Sequence, residues 1–466
     1  MKFVEACYIE NQHPKFRDNP FVEALPSRLN LEDFWQATVK DVQLPESIDD
    51  FDDETKEEFA RDLMDSVQPT SLYFEVYRDI LGILKNGYKN RNPKDDVTKV
   101  WQHQVATNIF VPTRTTAPSS TFTGYSGMGK TTLVDSVLSL IPPVIHHPAN
   151  GPLGYECNQI VYIKVNITGD ADLKQLCLSI IGEIDKVTGT NIKDEFEQKK
   201  RNTKDCISKL ITICTTYLVG MIVFDEIQNI CLAAPNAQKL VFTLFDRLSN
   251  EARVPTLKIG TTKANRLINN EFTNSRRLGV PIEWTNYRAD EEDWLLLLEY
   301  AWECQLLPKK VKMNDAFEKL IYSYTQGVVY CLFFLIEQVN IMGLRNGNLY
   351  FSKELFDEVY KVKFRLIRPA ITALRYGKTQ AFDDLFHLNA QLDLDTKVLI
   401  KKLLKIAHDQ KLKGKAAKQL QEEIDKYLPE YKLTMAEAIT VKRLKNEAEL
   451  NVTSMETASG EWSIPI

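Results

Sequence analysis

Gly124-Tyr125-Ser126-Gly127-Met128-Gly129-Lys130-Thr131-Thr132 satisfies G-x-x-x-x-G-K-[ST] without a gap. Glycines at these places let the main chain wrap closely around an anion, so that successive N–H groups point inward at phosphate oxygens. Lys130 is then within reach of the β- and γ-phosphates, and the Thr131 hydroxyl is placed to ligate Mg²⁺. The helix beginning at Thr131 and Thr132 aims the positive end of its dipole at the same phosphates. A short strand, Ser119–Thr123, precedes the loop, although its hydroxyl-rich wording is unusual for a buried strand.

Some ninety residues on, Met221-Ile222-Val223-Phe224-Asp225-Glu226 reads as an apolar strand ending in two acids. In open α/β sheets ligands bind beyond the carboxyl ends of the strands, so both carboxylates are expected beside the phosphate loop. Asp225 would hold the metal, directly or through water, and Glu226 would orient the attacking water. Acidic caps on a following helix are the structural alternative. Leu257–Thr261 is a later strand ending in hydroxyls, and Thr261 there could sense the γ-phosphate or simply sit in a Thr-rich turn. Arg276 and Arg277, just ahead of the strand Val280–Thr285, are candidate cations for the charge that builds on a transferring phosphoryl group.

Working outward, Gln159–Val165 reads as one continuous apolar strand. Fully apolar short strands alternating with helices predict a parallel sheet covered on both faces. Beyond residue 290 only helical periodicity remains, at 291–305, 314–324, 328–342 and 352–365, and Ser71–Asn90 reads as an amphipathic helix. The expected architecture is therefore α/β, with a parallel-sheet P-loop domain over 71–289 and a small all-helical lid over 290–370. An N-terminal extension (1–70) and a C-terminal tail (371–466) flank them.

The 466 residues carry 58 Lys and Arg against 63 Asp and Glu, a net charge of −5, with 44% hydrophobic residues. That usage excludes a wholly disordered chain. The charge is polarised. Between Asp41 and Asp65 eleven acids face two bases, and between Lys397 and Lys445 thirteen bases face six acids. Each block reads either as a solvated helix face or as a docking surface. The eight cysteines contain no C-x-x-C pair, which argues against structural zinc, and the His146-His147 pair, flanked by prolines, reads as a surface loop rather than a metal site. With no long apolar run, the expectation is a cytoplasmic protein with reduced thiols and no membrane span.

The order of these motifs resembles an AAA+ ATPase. More narrowly it resembles the TnsC-type transposition regulators of heteromeric transposons, a group related to MuB and TniB. Asn19-Pro20-Phe21-Val22-Glu23-Ala24-Leu25-Pro26 is similar to the N-P-[LF]-[IV]-E-A-L-P of that group. Val223-Phe224-Asp225-Glu226-Ile227-Gln228-Asn229 is similar to its D-E-[IA]-[QH]-N segment, Gly260-Thr261-Thr262-Lys263-Ala264 to its G-T-x-K-A, and Thr325-Gln326-Gly327 to its [ST]-Q-G. The resemblance covers roughly residues 11–370. It implies binding of ATP with Mg²⁺ and hydrolysis, with nucleotide at subunit boundaries of a ring or filament on double-stranded DNA. It also implies partners: transposase subunits (TnsA/TnsB-like) and a target selector (TniQ/TnsD-like). One departure stands out. Many AAA+ lids carry an arginine three residues after the glycine, where this chain has Tyr330, so the lid is expected to add no cation and hydrolysis to be slow or partner-dependent.

The same resemblance places DNA contacts on the loop after the second core strand and the loop following its helix. Lys164, Thr168, Lys174, Lys186, Thr190, Lys193 and the run Lys199-Lys200-Arg201 fall there. Contacts of that kind neutralise phosphates and are sequence-tolerant and salt-sensitive. Two other functions fit the ATPase motifs alone: an AAA+ loader or motor, and a signalling NTPase that never touches nucleic acid.

Overall fold

The computed structural model describes residues 3–45, 51–107, 117–169, 172–198, 203–265, 280–377, 382, 421 and 440–443. The chain divides into two units, Met1–Asp383 and Asp384–Ile466. Of the second, Gln421 and the helical residues 440–443 are described, so the expectations for the basic tail lie outside the described residues.

Eight strands are described: β1 (Val4–Glu5), β2 (Ser119–Gly124), β3 (Val144–His147), β4 (Cys157–Ile160), β5 (Tyr162–Asn166), β6 (Met221–Asp225), β7 (Thr256–Thr261) and β8 (Val280–Trp284). Five form one parallel sheet in the order β5-β6-β7-β2-β8. The strand that delivers the acids, β6, is thus separated from the phosphate-loop strand β2 by β7. The α/β parallel-sheet architecture is as expected. Its core joins Ile163, Val165, Ile222 and Phe224 of the sheet to the helices Leu173–Thr188, Thr203–Thr216 and Pro235–Asn250. Phe224, fully buried against Phe245, contributes on the order of 2–3 kcal/mol from apolar transfer alone.

The hydroxyl-rich β2 is central and buried nonetheless. Ser119 is bonded sideways into the sheet: its Oγ lies 3.0 Å from Thr256 Oγ1 and also accepts from the ammonium of Lys258, whereas the buried Thr123 Oγ1 has no hydrogen-bond partner among the described residues. A buried Ser or Thr costs little once its hydroxyl is partnered.

The single strand expected over Gln159–Val165 is in fact two, in different sheets. Gln159 and Ile160 pair antiparallel with β3, whereas Tyr162–Asn166 pair parallel with β6. Val161 is the corner, and its N–H donates to Pro143 O at 2.8 Å. No Gly or Pro in the run marks that break; tertiary partners impose it. The second sheet, β1-β3-β4, also corrects the reading of His146-His147 as a surface loop. These residues lie on β3, and His147 is fully buried.

Helices Glu292–Glu303, Asp315–Thr325, Val329–Asn346, Lys353–Lys363 and Arg368–Arg375 follow the sheet. Part of the acidic N-terminal block is ordered against them. Helix Asp53–Arg61 packs on Val329–Asn346, burying Ala60 and joining Glu57 to Arg345 in a bidentate pair at 2.6 Å. Among the described residues no single helix is long and apolar enough to cross a membrane.

Candidate functional site

The phosphate loop leaves the end of β2 at Gly124, where a Cβ would collide with the main-chain carbonyl of Trp284 on β8. Gly127 (φ 79°) and Gly129 (φ 90°) occupy the left-handed region that side chains resist. Gly129 is the N-cap of helix Lys130–Ser139. The sequence pattern and the backbone therefore agree residue by residue. Lys130 is 8% exposed and donates from Nζ to Tyr125 O at 2.7 Å, so its ammonium is held within the loop.

Across the sheet, Thr131 Oγ1 donates to Asp225 Oδ2 at 3.1 Å. The other carboxylate oxygen, Oδ1, accepts from Glu226 N at 2.9 Å. Oδ2 also receives Lys164 Nζ at 3.3 Å, and that ammonium is shared with Asp135 Oδ1 at 2.6 Å. Asp225 is 4% exposed. A buried carboxylate is stable only when charge and hydrogen bonds match it, and here Lys164 supplies the charge.

Glu226 stands at the end of β6 with φ 58° and ψ 38°, a left-handed conformation costly for a residue with a side chain. Its carboxylate accepts from Gln228 Nε2. Gln228 Oε1 in turn accepts from the backbone N–H of Thr261, at the end of β7, at 2.9 Å. Asn229 Nδ2 reaches Ile167 O at 2.7 Å and fixes the turn after β5. Thr261 itself is 3% exposed, and its Oγ1 has no hydrogen-bond partner among the described residues.

The lid meets the loop through main chain. The N–H of Tyr330, at the start of helix Val329–Asn346, donates to Gly127 O at 2.8 Å. Gly327 (φ 73°) lies so close to Tyr287 that a Cβ would clash with its backbone, and Asn286 Nδ2 donates to Gln326 O at 2.7 Å. The Thr325-Gln326-Gly327 string is thereby the joint between the sheet's exit and the lid.

A family model described as an AAA domain matches residues 113–268. The chain carries an AAA-type P-loop ATPase domain. No curated protein matches the chain. Solved structures similar to it include the Aeropyrum pernix ORC1 protein in complex with DNA, at 15% identity and TM-score 0.40, covering 76% of this chain and 82% of that one. Another is the Aeropyrum pernix ORC2 protein with ADPNP and ADP, at 13% and 0.36, covering 78% and 96%. A third is a Walker-type ATPase of Pyrococcus abyssi, at 12% and 0.37, covering 76% and 89%. At these values no function is carried across.

Of the residues singled out in the AAA domain, the structure brings Lys130, Thr131, Asp225, Glu226 and Thr261 to one edge of the sheet. Arg276, Arg277, Lys199, Lys200 and Arg201 lie outside the described residues. Lys164, grouped above with DNA contacts, sits inside the site against Asp225. Thr168 is exposed, Lys174 and Lys193 are half-buried, and Thr190 donates to Asp185 Oδ1 at 2.5 Å. The sequence reading missed Gln228 and the role of Lys164. An alternation of apolar and polar residues along Tyr162–Asn166 was the available signal for Lys164, since it puts that side chain on one face of β5.

The arrangement fits a magnesium nucleotide on the chemistry of its donors. A hydroxyl and a carboxylate oxygen converge at the loop, an ammonium lies within the loop itself, and a buried hydroxyl at Thr261 lacks a partner. Hard oxygen donors of this kind suit Mg²⁺.

Proposed function

We propose that this chain is an ATP-hydrolysing regulator of DNA transposition of the TnsC type. It assembles on double-stranded DNA and links the choice of target to recruitment of the transposase. The ATPase half of the reading is supported by one observation above others: Thr131 and Asp225 meet at 3.1 Å beside a loop whose lysine is already in place. The transposition half is supported by the four short strings, which span the chain from Asn19 to Gly327.

In the proposed reaction Lys130 exchanges the Tyr125 carbonyl for phosphate oxygens, while the loop N–H groups hold the remaining charge. Thr131 and Asp225 would hold Mg²⁺, which neutralises charge on the phosphates when bound. With Mg²⁺ held by Thr131 and Asp225, Lys164 would keep its pairing with Asp135 and give up the longer one to Asp225 Oδ2. Glu226 accepts a hydrogen bond from the attacking water and aligns it in line with the leaving oxygen. Thr261 Oγ gains a partner in that water or in the γ-phosphate. Arg276 or Arg277 of a neighbouring subunit would complete the charge balance, which places hydrolysis under the control of assembly. Thr168, Lys174, Thr190 and Lys193, with Lys199, Lys200 and Arg201, would meet the DNA backbone. Residues 1–70 would contact the target selector, and residues 378–466 the transposase or flanking DNA.

The test is ATP-dependent binding to random duplex DNA, followed by electron microscopy of the product and a transposase pull-down. The wild type should shift duplexes of unrelated sequence only with ATP and form rings or filaments, and Lys130→Ala should do neither. ATP hydrolysis with no DNA binding at any salt concentration would favour a signalling NTPase; DNA assembly without transposase capture would favour a loader or motor.

A further inference from the structure

We propose that Gln228 is a positioning residue that holds the Glu226 carboxylate in its working direction and gears it to the end of β7. The inference deepens the ATPase reading above and rests on Glu226 as the water-orienting group.

Gln228 is 7% exposed, and each end of its side chain is occupied by a separate element. Nε2 donates to Glu226 Oε2, and Oε1 accepts from Thr261 N at 2.9 Å. Since a carboxamide is planar and rigid, fixing one end fixes the other. The strand end of β7 therefore dictates where one oxygen of Glu226 lies. That leaves Oε1 of Glu226 to accept from water.

The main chain around this bridge is arranged to permit it. Glu226 is one of five non-glycine residues at positive φ among the described residues, and strain of that kind is of order 1–3 kcal/mol. A strained residue keeps its conformation only where its surroundings hold it. Here the Gln228 bond and the Glu226 N–H bond to Asp225 Oδ1 do so. On β7, a Cβ at Gly260 would come within 2.6 Å of Gln228 Oε1 and 2.5 Å of Ile227 Cγ2. The glycine is thus the space through which the carboxamide passes. Thr261, whose backbone anchors the bridge, is also the residue whose hydroxyl is buried and unpartnered. A displacement of that strand end by a γ-phosphate would move the Glu226 carboxylate with it.

The test uses the full chain. Gln228→Met keeps the volume and removes both polar ends. It should lower kcat for ATP hydrolysis about 10- to 100-fold, the scale of a catalytic group misplaced by roughly 1 Å, with KM and nucleotide affinity unchanged. Gly260→Ala leaves the carboxamide chemically intact but crowds it, and should reproduce the same split. In a Glu226→Gln background Gln228→Met should change the residual rate by less than about twofold, because a residue acting through Glu226 has nothing left to act on. A merely structural role would instead add its penalty in both backgrounds. A fourth readout needs no turnover: with ¹⁵N-glutamine labelling, the Gln228 side-chain amide, assigned by its loss in Gln228→Met, should shift and exchange faster in Glu226→Ala.

Unchanged kcat in both Gln228→Met and Gly260→Ala overturns the proposal, as does an additive penalty in the double variant. An amide signal indifferent to Glu226→Ala overturns it independently. Should the wild type fail to hydrolyse ATP under all conditions, the ATPase reading falls, and the amide signal still decides whether Gln228 holds Glu226.

Discussion

At the ends of β6 and β7 the Glu226 backbone is strained and the Thr261 hydroxyl is unspent, whereas around His147 the polar groups are matched. Glu226 sits in a left-handed conformation, and Thr261 Oγ1 has no partner among the described residues. His147, by contrast, uses both ring nitrogens: Nδ1 lies 2.8 Å from Tyr8 Oη and Nε2 2.8 Å from Gln159 Oε1. Gln159 Nε2 then donates to Phe21 O at 3.0 Å, closing the network onto the N-terminal segment. Both clusters are buried and both contain residues that sequence alone offers as ligands. The difference is where their hydrogen-bonding capacity goes. A saturated network rigidifies what it joins, while unspent capacity and backbone strain mark where a ligand can be accommodated.

The contrast breaks most sharply through Glu226→Gln. We expect hydrolysis to fall by at least about 100-fold, with nucleotide affinity and melting temperature preserved, measured by steady-state turnover and calorimetric titration. If turnover stays at the wild-type rate, the strained carboxylate has no catalytic use. Gln159→Ala is the converse experiment. It strands His147 Nε2 and Phe21 O in a buried place, and should destabilise the protein by about 1–3 kcal/mol in urea unfolding while leaving turnover per folded molecule unchanged. A loss of activity without a loss of stability would move the His147 cluster into the functional class.

The smallest effect is one of pH. Burial holds the His147 imidazole below its ordinary value; the Gln159 hydrogen bond pulls the other way, and the neighbouring His146 adds a smaller push downward. The unfolded chain therefore takes up a proton near the usual 6.5 while the folded protein does not. Stability should fall as pH drops below that value, until the folded form also protonates, with a slope of at most about 1.4 kcal/mol per pH unit from this group. His147→Phe should remove that contribution, so that wild type and variant differ in the steepness of stability between pH 6.5 and 5.

How much of this was legible beforehand follows from the range of the forces involved. The phosphate loop could be read because its constraint is local: glycines at fixed offsets are demanded by the backbone itself. The end of β6 could be read because apolar residues followed by acids state both burial and exit. The corner at Val161 could not, since no Gly or Pro interrupts Gln159–Val165 and only pairing with β3 and β6 divides it. Nor could Gln228, whose partners are 2 and 33 residues away in sequence and come together only when β6 and β7 lie side by side. Lys164 falls among the candidate DNA contacts in the sequence because a formula for charge says nothing about which carboxylate it will face.

The bond from Tyr330 N–H to Gly127 O is written in main chain, so replacing either side chain leaves it in place, and a scan of alanine variants would pass over it. Helix Val329–Asn346 has 18 residues and so extends about 27 Å from that contact. It is a lever whose short end rests on the phosphate loop: a tilt of about 10° at Gly127 would sweep its far end, where Arg345 grips Glu57, through roughly 5 Å.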